Sequence, residues 1–170
     1  MLNELKSMKN NQVWELVEPH KSQKLVGLKW VFKTKKDKDG RIERFKAGLV
    51  AKGFTQREGI DYIEMFPLVS TKDSFVIIMA LVAHYDLHLP QMDVKTVFLN
   101  GELKEENFIR QPEGFAKEGK DHMVCKLGKA IYGLKQASKR WYFKFHQTVS
   151  SYGFEENIAD QCIYLKKCGS

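Results

Sequence analysis

Between residues 28 and 52 the chain alternates with a period of two, and this limits the fold more than any other feature. Leu28, Trp30, Phe32 and Thr34 fall on one side of an extended segment, with Lys29, Val31, Lys33 and Lys35 on the other. Asp37-Lys38-Asp39-Gly40 supplies turn chemistry, with Gly40 suited to positive φ. The returning segment sets Phe45, Ala47, Leu49 and Ala51 against Arg44, Lys46, Val50 and Lys52. The reading is a β-hairpin with one apolar face and one basic face.

Elsewhere the pattern mixes helices and strands. A short helix fits the first dozen residues, ending before Trp14. Ser70-x-x-Asp73 resembles a capping box, and Phe75, Ile78, Val82 and Tyr85 follow at helical spacing. Residues 91–94 read as a strand end, Asn100-Gly101 as a turn, and 108–111 and 123–127 as short strands. Ala137, Trp141, Phe145, Val149 and Tyr152 form a helical stripe that Gly153 would cap. Residues 163–166 read as a strand without a partner. With no βαβ rhythm, the class is α+β.

The longest apolar run, residues 75–83, is nine residues, against the roughly 20 a membrane helix needs. No secretory leader is visible, and Cys125, Cys162 and Cys168 form no C-x-x-C pair. Reduced thiols in an intracellular protein are expected. The net charge of +7 is unevenly spread. Residues 24–52 carry +7 and residues 126–144 carry +6, leaving −6 on the remainder. Two cationic segments on an acidic background suit a polyanion, nucleic acid first, and equally suit two solvated faces.

Other chemistries find little footing. His84 and His88 are spaced i, i+4 but lack a third ligand nearby, and His122-x-x-Cys125 is a lone pair. G-x-S-x-G, Walker and dinucleotide loops are absent. Asp93 remains, at the end of an apolar-flanked segment. A carboxylate there can hold Mg²⁺ against a triphosphate, although most aspartates after strands are turn formers or helix caps.

Four blocks then resemble the reverse transcriptase region of a copia-type LTR retrotransposon polyprotein. They are Leu28-Lys29-Trp30-Val31-Phe32-Lys33, Arg44-Phe45-Lys46-Ala47-Gly48-Leu49-Val50-Ala51-Lys52-Gly53-Phe54-Thr55-Gln56, Gln91-Met92-Asp93-Val94-Lys95-Thr96-Val97-Phe98-Leu99-Asn100-Gly101 and Ile131-Tyr132-Gly133-Leu134-Lys135-Gln136-Ala137-Ser138. Gln111-Pro112-Glu113-Gly114-Phe115 matches between them. The resemblance implies a right-hand polymerase, with a flank at 1–13 and a reverse transcriptase-like domain at 14–170. Residues 14–70 would be the fingers hairpin region, and 71–170 the fingers helix and part of the palm.

On this resemblance Asp93 is a catalytic, metal-binding aspartate, and the Val94 carbonyl joins it on Mg²⁺ or Mn²⁺. Lys33, Lys46 and Lys52 would neutralise phosphates. Phe98 would be the gate against a ribose 2′-OH, and Gly133 and Lys135 would shape the nucleotide pocket. The implied partners are template-primer, a deoxynucleoside triphosphate and the remaining polymerase regions (thumb, rest of palm, RNase H), with no membrane; the compartment is the cytoplasm or a virus-like particle. Three departures stand out: no Asp-Asp pair, Gly48 where the family usually has Arg, and Val97 where it has Ala. They suggest a fragment or decayed copy that does not catalyse alone. The alternatives are a basic nucleic-acid-binding remnant and a relic without a role.

Overall fold

The computed structural model describes residues 1–21, 23–63 and 69–167. Cys168 lies outside the described residues. Among the described residues three α-helices and eight strands follow in mixed order, so the α+β class holds. Helix α1 (Leu2–Asn10) leads into β1 (Trp14–Val17), β2 (Leu25–Val26) and the hairpin strands β3 (Leu28–Lys36) and β4 (Ile42–Ala51). After α2 (Lys72–His84) come β5 (Glu102–Ile109), β6 (Val124–Lys129), α3 (Ala137–Ser151) and the small pair β7 (Glu155–Glu156) and β8 (Tyr164–Leu165). Short 3₁₀ turns occupy Gly53–Thr55 and Val97–Asn100.

The central sheet runs β1-β6-β5-β2. β6 pairs antiparallel with β1 and β5, whereas β2 joins β5 in parallel. Its core side chains include Val26, Ile109, Cys125 and Leu127. Met8 of α1, the hairpin base at Leu49 and Ala51, Leu99, and residues Ala130, Ile131, Leu134 and Ala137 close over them. Ile109, Ala130 and Ile131 are wholly out of water. Each large aliphatic side chain buried in this way contributes about 1.5–3 kcal/mol of transfer free energy. Glu105 of β5 and Arg140 of α3 pair at 2.5 Å and tie the last helix to the sheet.

The hairpin forms as the alternation predicts. Lys33 faces Lys46, Val31 faces Gly48, and on the other side Phe32 faces Ala47 and Trp30 faces Leu49. Gly40 turns the chain at φ +80°.

Four local expectations are corrected. Residues 91–94 form no strand, because no described strand lies beside them to supply hydrogen bonds. The helix cap is Thr71, whose side chain accepts from the Ser74 N–H at 3.1 Å, one residue later than the Ser70 reading. The strand expected at 108–111 starts at Glu102, immediately after the Asn100-Gly101 turn, since β6 offers it a partner that far back. Residues 163–166 do not lack a partner: Glu156 pairs with Tyr164 and Glu155 with Leu165.

Candidate functional site

Register alone creates an electrostatic anomaly on the hairpin. Lys33 stands directly across from Lys46, and Lys35 across from Arg44. Directly opposed like charges on a ladder are destabilising. Nothing carboxylic separates them along the strands; β4 offers only Glu43, on the other face by alternation. An anion lying over this face would relieve both pairs.

Beneath the row lies a cavity of about 240 Å³. Lys33, Lys46, Gly48 and Val50 form its hairpin wall, Thr96 and Tyr132 its opposite side, and Glu4 of α1 reaches its edge. Gly48 shares the row of Lys33 and Lys46, as its place in the alternation requires. A Cβ at Gly48 would meet only the Glu4 carboxylate, at 4.0 Å, so the position opens onto free space.

The opposite side is held in place by backbone geometry. Thr96 adopts the left-handed region at φ 52°, an uncommon state for a non-glycine residue. Its carbonyl accepts from the Leu99 N–H at 2.9 Å and the Asn100 amide at 3.1 Å, and these bonds stabilise the turn that follows. That turn carries Phe98, whose ring meets Tyr132 edge to face at 4.7 Å. The Tyr132 carbonyl accepts the Ala51 N–H at 2.7 Å, and so docks the 131–136 segment on the end of β4. Gly133 follows at φ +91°, where a Cβ would lie 2.2 Å from the Ala51 oxygen. Only glycine permits this approach.

The docking is completed by a buried amide network. The Gln56 side chain donates to Asn107 at 3.3 Å and to Gln136 at 3.1 Å, and its oxygen accepts the Lys135 N–H at 2.9 Å. All three amide side chains belong to buried residues. Unpaired, such groups would each cost about 1–3 kcal/mol. Gln56, Asn107 and Gln136 were not singled out from the sequence. Gln56 and Gln136 each sit inside a quoted block, a usable signal; Asn107, flanked by Glu105 and Glu106, offers none.

The structure therefore brings Lys33 and Lys46 to one cavity, with Phe98 against Tyr132, Gly133 against Ala51 and the Lys135 N–H on Gln56. Lys52 does not line the cavity. Its stem lies against Gly27, where a Cβ would come within 3.1 Å, and its N–H donates to the Gly27 carbonyl at 2.8 Å. Asp93 and Val94 are exposed, in a stretch without regular structure that leads to Thr96. Among the described residues no three His, Cys, Asp or Glu gather as a metal would require. A two-cation centre needs several carboxylates, so the residues described here do not by themselves fit one.

Neither Cys125 nor Cys162 lines this cavity. Burial pushes the Cys125 thiol up to about 12, which leaves it inert. Burial, with the nearby Asp160 and Glu156 charges, also raises Cys162. No described helix is long and apolar enough to cross a membrane.

A basic hairpin face, a small cavity beneath it and a glycine-dependent docking segment together suit an anionic partner. Residues 11–170 match the reverse transcriptase (RNA-dependent DNA polymerase) family, and the chain belongs to it. It is 47% identical over 167 residues to the retrovirus-related Pol polyprotein from transposon TNT 1-94 of Nicotiana tabacum, covering 98% of this chain and 13% of that protein. The corresponding polyproteins from transposons RE1 and RE2 of Arabidopsis thaliana are 36% and 38% identical, each over 99% of this chain and 12% of their own length. These relatives place it as a reverse transcriptase region of a copia-type element, spanning about an eighth of their length. No solved structure matches.

Proposed function

We propose that this chain is the nucleotide- and template-facing part of an RNA-directed DNA polymerase, comprising fingers and part of the palm. The opposed cations Lys33–Lys46 and Lys35–Arg44 carry the reading, because phosphates relieve the repulsion that the register imposes. Lys33 and Lys46 hold the triphosphate and template backbone over the cavity. Phe98, fixed against Tyr132, stands where a ring excludes a 2′-hydroxyl. Gly133 and Lys135 shape the pocket through the Ala51 and Gln56 contacts. In the assembled polyprotein Asp93 and the Val94 carbonyl supply part of a divalent-metal centre; the intact family uses such metals. Lys52 acts at the hairpin base by holding it to Gly27, not as a phosphate ligand. The isolated chain binds without catalysing.

Binding of a labelled duplex by the purified chain tests the reading. Affinity falls by orders of magnitude between low and physiological salt, as counterion release requires. Lys46→Ala weakens binding and makes the salt dependence shallower by about one counterion. A flat salt profile, or Lys46→Ala with wild-type affinity, overturns the assignment.

A further inference from the structure

We propose that the recess between α1, β1 and the 111–117 loop binds a small organic carboxylic acid. Trp14, Leu16 and Phe115 would hold its apolar body, and Lys9 and Lys117 its carboxylate. The recess shares no lining residue with the hairpin cavity, and the inference stands apart from the nucleic-acid reading.

The recess forms where a short helix meets the edge of the sheet. Trp14 and Leu16 fall on one face of β1 and pair with Leu127 and Cys125 of β6. Leu5 and Met8, three apart on α1, join the same core cluster, and Met8 is wholly buried. With only nine residues, α1 does not cover the rest of this face, and Trp14, Leu16 and Phe115 stay half-buried. They border a cavity of about 400 Å³, within the range of about 300–1,000 Å³ typical of small-molecule sites.

The loop wall is set before any ligand arrives. The Gln111 side chain donates to the Lys120 carbonyl at 2.6 Å and the Met123 carbonyl at 3.0 Å, and accepts the Lys117 N–H at 2.9 Å. One amide thus fixes the loop that carries Phe115 and Lys117, which lowers the ordering cost of binding. The charge of the lining has one sign. Lys9 and Lys117 are both exposed, neither ammonium has an ion pair, and no carboxylate lines the recess. An apolar cavity with two unpaired cations at its wall selects an amphipathic anion. A helical partner fits less well, because it needs a groove that takes anchors at i, i+3 or i+4 and i+7, and a compact recess takes one.

Calorimetric titration with straight-chain carboxylates from butanoate to decanoate tests the site. Affinity rises about fourfold with each added methylene until the recess is full. Octanol, of equal length and uncharged, binds more weakly than octanoate. Octanoate also shifts tryptophan emission, and Trp14→Phe loses that shift. Reversing both exposed lysines, Lys9→Glu with Lys117→Glu, weakens octanoate about tenfold. Leu16→Trp fills the recess and abolishes binding; if that variant fails to fold by circular dichroism, the lysine pair decides. No octanoate binding, an affinity independent of chain length, or octanol equal to octanoate overturns the proposal. So does octanoate binding that Lys46→Ala removes, which would place the acid in the hairpin cavity. A dimer in sedimentation that Leu16→Trp dissolves would assign the recess to a second copy instead. Duplex binding through Lys33 and Lys46 is expected in every case, so the two readings fail separately.

Discussion

The body around the four-stranded sheet and the segment carrying α2 both draw on runs of Ile, Val and Leu, but they bury them differently. In the body, strands present apolar residues on alternating sides, and α1, the hairpin base and residues 130–137 supply the covering layer. In α2, Phe75-Val76-Ile77-Ile78-Met79 places apolar side chains on every side of one helix. No single layer can cover such a helix, and not one of its residues is buried. Phe75, Val76 and Ile77 all remain mostly exposed. What holds α2 is its first turn: Thr71 caps it, and the Asp160 carboxylate takes the Ser70 hydroxyl at 2.8 Å and the Thr71 N–H at 3.1 Å. The body is stabilised by burial over its whole area, whereas α2 is tethered by polar contacts at one end.

Matched substitutions expose the contrast most directly. Ile131→Ala opens a cavity in the body and costs about 2–5 kcal/mol. Ile77→Ser, in the exposed helix, changes stability by less than about 0.5 kcal/mol and raises solubility. Urea titration of the two variants reads both, and equal midpoints would erase the distinction between the regions.

A smaller effect comes from the polar part of the body. Gln56→Ala strands the Lys135 N–H, while Asn107 still donates to the Glu105 carbonyl and Gln136 to the Asp61 carbonyl, so the cost is about 1–3 kcal/mol. Amide exchange at Lys135 and along 131–136 should quicken with it. Exchange at wild-type rates would mean that Tyr132 and Gly133 dock the segment unaided.

The smallest effect is confined to α2 and depends on pH. Hydrogen bonds from the Ser74 hydroxyl, the Cys162 N–H, the Ser70 hydroxyl and the Thr71 N–H favour ionised Asp160 and lower it to about 2. Its folded value lies below the unfolded one, near 3.8, so its stabilisation is complete above pH 4 and fades as pH falls toward 2. Exchange protection of the α2 amides should decline across that window in the wild type and lose that dependence in Asp160→Asn. An unchanged profile in the variant would remove Asp160 as the tether.

Much of this was legible beforehand where the signal is local. The hairpin's two faces, its turn at Gly40, the α3 stripe and the family blocks all follow from side chains a few residues apart. The misreadings at 91–94 and 163–166 share a cause: a strand is defined by its partner, and neither segment names one. Of the candidate site, Lys33 and Lys46 were readable from alternation, whereas Lys52, one residue beyond β4, follows the backbone turn toward Gly27 and leaves the row.

The sequence by itself determined the hairpin, its two faces, the α+β class and the family, because periodicity and motif order need no knowledge of distant contacts. Only the tertiary structure decided that Gln56, Asn107 and Gln136 share one buried network, that Gly133 exists to let a backbone oxygen approach, and that Phe32 and Phe45 face water. Those outcomes depend on which surfaces meet across 50 or more residues of chain, and a side chain carries no mark of what will come to lie against it.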